Sequence, residues 1–224
     1  MKQKATIFLL LITSLVFTSC LVSRDYISNI TKNSALSYEK TNRILIATSD
    51  KLSLSSFKKT FEKNYELDID FVNEYSSELA NELMNNNVFT KVALDNEVNK
   101  WNVLTNGINA ANLIEVDSLV ANTNADYLIT IDNYNISNRF VTSYSGGGMN
   151  GGFGHQTSTE YCMVSAGVKV YDLKTREIVV SFETTGESSV FMFDFTKTFK
   201  KAKERSITHI VNYLKTGKVK YSQY

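Results

Sequence analysis

Residues 124–189 constrain the rest of the chain more than any other stretch. They open with NADYLITI, run to a Gly-rich segment at 146–154, and return as EYCMVSAGVKVYDL before a short turn and EIVVSFETTG. Side chains on a strand alternate between faces, so Cys162, Val164, Ala166, Val168 and Val170 share one side, which points into a core. The period-two pattern predicts three consecutive antiparallel strands, the first two forming a long hairpin. Cys162 then reads as a small buried apolar residue. A meander of this kind has one face to cover, and the flanking segments must supply the cover.

Helical periodicity supplies it. Over 71–86, Phe71, Tyr75, Leu79 and Leu83 recur on one stripe behind Asp70, which reads as the cap. Glu74, Glu78 and Glu82 lie four apart on a second stripe and are expected to face water. Residues 53–65 predict a helix burying Leu54, Phe57 and Phe61; 112–121 predicts one with Leu113, Val116 and Val120 inward. The last helix, 194–214, puts Phe195, Phe199, Ala202, Ile210 and Leu214 on one side. Arg43–Thr48 and residues 88–94 read as strands, with a looser stretch around Trp101. The order β-α-α-β-α-β-β-β-α implies an α+β fold, a mixed β-sheet covered by helices with a long Gly-rich β-hairpin. One domain, 43–224, holds all of it.

The front of the chain reads differently. Residues 1–20 have a basic start (Lys2, Lys4), an apolar run from Ala5 to Phe17, then Thr18-Ser19-Cys20. That run is too short to span a bilayer and has the proportions of an export signal. Small residues directly before a cysteine resemble the bacterial lipobox, in which the cysteine is acylated; an ordinary cleaved signal peptide is the alternative. Cys20 is therefore the expected lipidation site and the protein's link to the membrane. Leu21 stands where Asp would favour the inner membrane, so the expected location is the outer membrane, facing the periplasm. Residues 21–42, rich in Ser, Asn and Thr, read as a tether, with a first helix over 26–40 as the alternative.

Charge narrows the partners. The chain has 24 Lys+Arg against 23 Asp+Glu, and losing Lys2 and Lys4 with the leader leaves 22 against 23. Such a balance argues against nucleic acid. The last helix and tail do concentrate cations: Lys197, Lys200, Lys201, Lys203, Arg205, Lys215, Lys218 and Lys220 against Glu204 alone. A solvated face is the plain reading; docking to an acidic partner or to anionic headgroups is the other.

Chemistry is sparse. His209 is expected on a solvated part of the last helix, and His155 beside the Gly-rich tip has no second ligand at metal spacing. No nucleophile–base pairing or metal motif is present, so no catalytic residue, metal or cofactor is expected. Asp126 and Asp132 flank an apolar strand and read as edge or capping residues. The run GGGMNGGFGH lacks the following helix that a phosphate cradle requires. It reads as a hairpin tip, with Tyr144, Met149 and Phe153 as candidate partner-binding residues alongside Lys200 and Lys203.

Several of these pieces together carry a resemblance. RILIAT, ELMNNNVFTKV, NADYLITI and VKVYDLKTREIVVS resemble a family of bacterial envelope lipoprotein domains over residues 43–214. Its members include the curli-secretion lipoprotein CsgG and the penicillin-binding-protein activator LpoB, with the TolB amino-terminal domain a more distant fold relative. Arg176 departs from the pattern, standing where a Gly is common in the second turn. The resemblance brings no catalytic residues. It implies a lipid-anchored, non-enzymatic factor that binds or assembles an envelope protein complex; a CsgG-like export-pore subunit and a small-ligand sensor are the alternatives.

Overall fold

The computed structural model describes residues 26–33, 37–49, 51–95, 97, 100, 101, 103, 108, 111–121, 123–145 and 155–219. Seven strands form one mixed sheet: β1 (Tyr26–Lys32), β2 (Arg43–Thr48), β3 (Leu52–Leu54), β4 (Lys91–Asp95), β5 (Tyr127–Ser145), β6 (His155–Asp172) and β7 (Glu177–Ser189). Their order is β1-β7-β6-β5-β2-β4, with β3 pairing β5 beyond the end of β2. β2 runs parallel to β4 and β5; β5, β6, β7 and β1 are successively antiparallel. Among the described residues, four helices complete the α+β fold: α1 (Lys58–Asn64), α2 (Asp68–Asn85), α3 (Leu113–Val120) and α4 (Phe195–Thr216).

The expected meander is present, and Cys162, Val164, Ala166, Val168 and Val170 are all buried on one face. Burial also pushes the Cys162 thiol far above its ordinary range, with the Glu160 charge adding to it. Helices α1, α2 and α4 cover that face through an aromatic cluster. Phe71 meets Tyr134 edge-on at 5.7 Å between ring centroids, and Phe61 meets Phe199 at 6.4 Å. Such pairs add to the burial of their large apolar surfaces. Tyr75 and Ser206, each fully buried, satisfy one another at 2.7 Å. Glycine is required at Gly186, where a Cβ would meet the α4 backbone at Ala202 and Ser206, so β7 and the helix approach closely there.

The opposite face carries a smaller core under α3, made of Leu45, Ala47, Trp101, Val116, Leu128, Tyr171 and Leu173. Val116 points inward as expected, whereas Leu113 is 37% exposed. The rest of this face, toward β1 and β7, is polar.

Three local expectations need correction. Residues 26–32, read as part of a tether or as a first helix, form β1, hydrogen-bonded along β7 from Tyr26 opposite Thr185 to Lys32 opposite Val180. The helix expected over 53–65 starts only at Lys58, because Leu52–Leu54 is a strand and Phe57 takes a left-handed φ of 60°. The 71–86 helix begins at Asp68. Asp70 does not precede it but reaches back from its first turn, accepting a hydrogen bond from the Leu67 N–H at 3.0 Å. In α4 Asp194, where the expected helix began, is the cap residue, accepting from the Lys197 N–H at 3.0 Å.

Candidate interaction surface at the hairpin end of the sheet

The β5–β6 hairpin outruns its neighbours. β7 stops at Ser189, opposite Tyr161, and β3 pairs β5 no further than Ile136. Pairing between β5 and β6 continues from Phe140–Glu160 to Ser145–His155. These residues make a two-stranded arm reaching about 20 Å beyond the sheet at the usual rise per residue. Among the described residues, neither outer edge of the arm has a strand beside it, so beyond the Val190 N–H that donates to the Glu160 carbonyl at its base both edges present unpaired backbone groups. The arm is mostly polar, with Phe140, which is 64% exposed, and the half-buried Val141 as apolar members. Ser143 and Thr157 hydroxyls meet across it at 2.7 Å, and the Asn138 amide donates to Glu160 at 2.7 Å near its base. Met149 and Phe153 lie outside the described residues, as do the side chains of Tyr144 and His155. Backbone pairing does place Tyr144 opposite Gln156, near the arm's outer end.

An ionic cluster fastens the base of the arm. Arg139 on β5 grips Glu187 on β7 bidentately, Nε to Oε1 at 2.8 Å and Nη2 to Oε2 at 2.6 Å. The Glu187 side chain is wholly buried, a setting in which a carboxylate needs such a partner. The guanidinium also sits 4.6 Å from the Tyr161 ring centroid. The Glu187 hydrogen bond raises the Arg139 pKa further, so the guanidinium stays charged. The Tyr26 hydroxyl reaches Glu187 at 3.4 Å, and burial with the Glu187 charge raises its pKa as well. One carboxylate thus ties β1, β5 and β7 together. Sequence reasoning missed it, although an acidic residue within ETTGESS, on a strand inside the sheet, was the available signal.

The basic helix divides into two kinds of lysine. Lys197, Lys200 and Lys201 are exposed on α4, as a docking role requires. Lys203, offered with Lys200 as a contact residue, is instead 1% exposed and donates to the Glu74 and Glu78 carboxylates of α2, the latter at 2.7 Å. Glu74 and Glu78, expected to face only water, are therefore its counter-ions. His209, expected on a solvated stripe, is also buried, because it shares the sheet-facing side of α4 with Ala202, Ser206 and Tyr213.

Two further surfaces flank the arm. In the β7–α4 connection Phe191, Met192 and Phe193 stand exposed. On the polar face, bulges at Asn29 in β1 and Asn133 in β5, both at φ 52°, border a cavity of about 360 Å³. Asp132 lines it and pairs with Lys169 at 3.1 Å; it stands inside β5, an interior strand, and not at the edge or cap expected of it. Asp126 caps the start of β2, accepting from the Arg43 N–H at 2.6 Å. Among the described residues, no group of three or more His, Cys, Asp or Glu side chains could hold a metal ion. No helix among them is long and apolar enough to cross a membrane, which says nothing of strands.

Solved structures similar to this chain include a PelC dodecamer from Paraburkholderia phytofirmans and a neuraminyllactose-binding hemagglutinin homolog from Helicobacter pylori. The first is 12% identical, with a TM-score of 0.42, over 84% of this chain and 96% of its own. The second is 10% identical, with a TM-score of 0.44, over 81% and 92%. Likeness at this level carries no argument about activity. No curated protein matches the chain. The model of a domain family of unknown function, DUF8603, matches residues 41–216, and the chain belongs to that family.

Proposed function

We propose that this protein is an outer-membrane lipoprotein, acylated on Cys20 and facing the periplasm, that binds another envelope protein and helps assemble its complex without catalysing a reaction. The observation that carries the binding role is the two-stranded arm, which projects past the sheet with both edges open from a base held by Arg139 and Glu187. An open edge accepts an added strand: its backbone groups give affinity, and the alternating side chains give selectivity. Thr142, Ser143 and Thr157 keep the arm polar, which suits an edge that must stay in water until its partner arrives. The leader supports the anchoring, and the resemblance of 43–214 to envelope lipoprotein domains supports the setting. A lipid anchor confines the domain to a thin layer, so a weak contact suffices for capture.

The test is crosslinking and pull-down of the anchored protein from intact envelopes, before and after residues 140–160 are cut to a two-residue turn. The cut should leave the melting curve unchanged and abolish capture. Unchanged capture removes the arm from the binding surface. The arm gives one other reading its footing, a subunit of an export pore whose hairpins line up into a barrel. A lipid-facing strand needs about ten residues of alternating apolar character, which Thr142, Ser143, Thr157 and Thr159 do not provide. Size in detergent separates the two readings, since a pore is a large ring.

A further inference from the structure

Three large apolar side chains stand in water at one corner of the molecule. Phe191, Met192 and Phe193 are 68%, 80% and 85% exposed. Met192 and Phe193 also hold left-handed φ angles of 51° and 59°, which bulky side chains adopt only at a cost. The fold thus gives up both burial and backbone ease to present them, and the surroundings say to what.

Cations adjoin the patch. A hollow of about 450 Å³ between this connection and α4 is lined by Phe191, Met192, Lys197, Lys201 and Arg205, among others. Apolar side chains beside lysines match a bilayer surface, where acyl chains lie under anionic headgroups. The anchor points to the same corner. β1 enters the sheet with Tyr26 opposite Thr185, and the Tyr26 hydroxyl touches Glu187, close to where β7 ends at Ser189. Cys20 precedes Tyr26 by six positions. A fully extended chain of that length spans about 20 Å at most, so an acylated Cys20 holds the bilayer near this corner.

We propose that Phe191, Met192 and Phe193 insert into the interface of an anionic phospholipid bilayer, with Lys197 and Lys201 on the headgroup phosphates, as a second membrane contact beside the lipid anchor. The lipid anchor rests on the lipoprotein reading; the insertion itself does not. A domain held at one point can swivel, and a second contact sets its orientation and with it the direction of the arm.

The experiment uses the chain from residue 20 onward carrying Cys20→Ser, floated with vesicles of phosphatidylglycerol and phosphatidylcholine or of phosphatidylcholine alone. The chain should bind the anionic vesicles and release in high salt. Replacing Phe191, Met192 and Phe193 together by Ser should weaken binding at least about tenfold, and Lys197→Glu or Lys201→Glu about fivefold each. Thr208→Glu, exposed further along α4, should change it little. A Phe193→Trp variant should shift its emission to the blue on binding. Melting curves confirm that each variant folds. Failure of the chain to bind either vesicle, or full binding by the triple Ser variant, overturns the proposal. So does loss of a protein crosslink in the triple variant with vesicle binding intact, which would assign the patch to a partner. Acylation is read separately, from the mass of the amino-terminal peptide made in cells; its absence would sink the anchor and leave the vesicle result standing.

Discussion

Replacing Lys203 by Met should cost less stability than removing the two carboxylates that hold it. The ammonium is 1% exposed, whereas Glu74 and Glu78 are 47% and 35% exposed. Glu74→Gln with Glu78→Gln strands a buried cation among neutral amides. Breaking a buried pair from one side costs about 3–5 kcal/mol, and the half-open setting puts this case near the lower figure, about 3 kcal/mol. Lys203→Met removes the charge and keeps most of the volume, and the two carboxylates recover their water. The expected loss is about 1 kcal/mol. For a domain of this size those figures correspond to about 6–12 °C and 2–4 °C in Tm. Urea unfolding followed by circular dichroism measures both. A Lys203→Met loss equal to or larger than that of the double Gln variant would refute the reasoning, because the buried charge would then be a net source of stability.

The same triad predicts a pH signature. Burial pushes the Glu74 carboxyl up, but the hydrogen bond and charge of Lys203 outweigh it and hold Glu74 below the ordinary glutamate range. Glu78 is buried further and feels the Glu74 charge, so it stays above that range despite Lys203. The depressed group contributes stability present above its unfolded pKa and lost as pH falls through its folded one. The raised group contributes stability present below its unfolded pKa and lost as pH rises through its folded one. The two slopes oppose, leaving the native triad with a shallow dependence across the acid range. In Lys203→Met both carboxyls lose the lowering influence, and the burial that remains at these half-exposed groups should give a mild loss of stability as pH rises through the glutamate range. Melting temperature against pH in both proteins checks this.

Three other outcomes follow from single positions. Gly186→Ala should cost about 3 kcal/mol in denaturant unfolding, because its Cβ would press on the α4 backbone rather than on a movable side chain. Arg176 holds φ at 63° and pairs with Asp117; Arg176→Gly should be more stable than Arg176→Ala by about 1 kcal/mol, since both lose the pair but only Ala keeps the strained backbone. Cys162 should resist Ellman's reagent in the native protein and react at once in denaturant, and rapid native labelling would contradict its burial.

Much of this fold was legible because strand alternation repeats over many residues. The buried face of β6 follows from period two alone, and β2, α2, α3 and α4 stand near where their apolar spacing puts them. β1 was not legible: only Ile27 is fully buried in it, and its hold on β7 comes from backbone pairing and the Tyr26–Glu187 contact, neither of which leaves a hydrophobic pattern. β3 is three residues long, too short for any period. Lys203 was legible in principle. It follows Phe199 by four positions and precedes Ser206 and Ile210 by three and seven, on the buried stripe, while Glu74 and Glu78 wait at helical spacing on α2. Counting it with the neighbouring lysines hid that placement. The patch at Phe191–Met192–Phe193 was visible as letters, but apolar residues before a helix read as core until the fold leaves them outside.

The position of β1 has a mechanical consequence. A pull on Cys20 directed along β1 meets the strand at its Tyr26 end and loads its bonds to β7 together, in shear, rather than peeling them one after another. The bulge between Ser28 and Thr31 divides that ladder into two short blocks, so yielding would come in two steps. Such a load passes from β1 into β7 and so into the interior of the sheet.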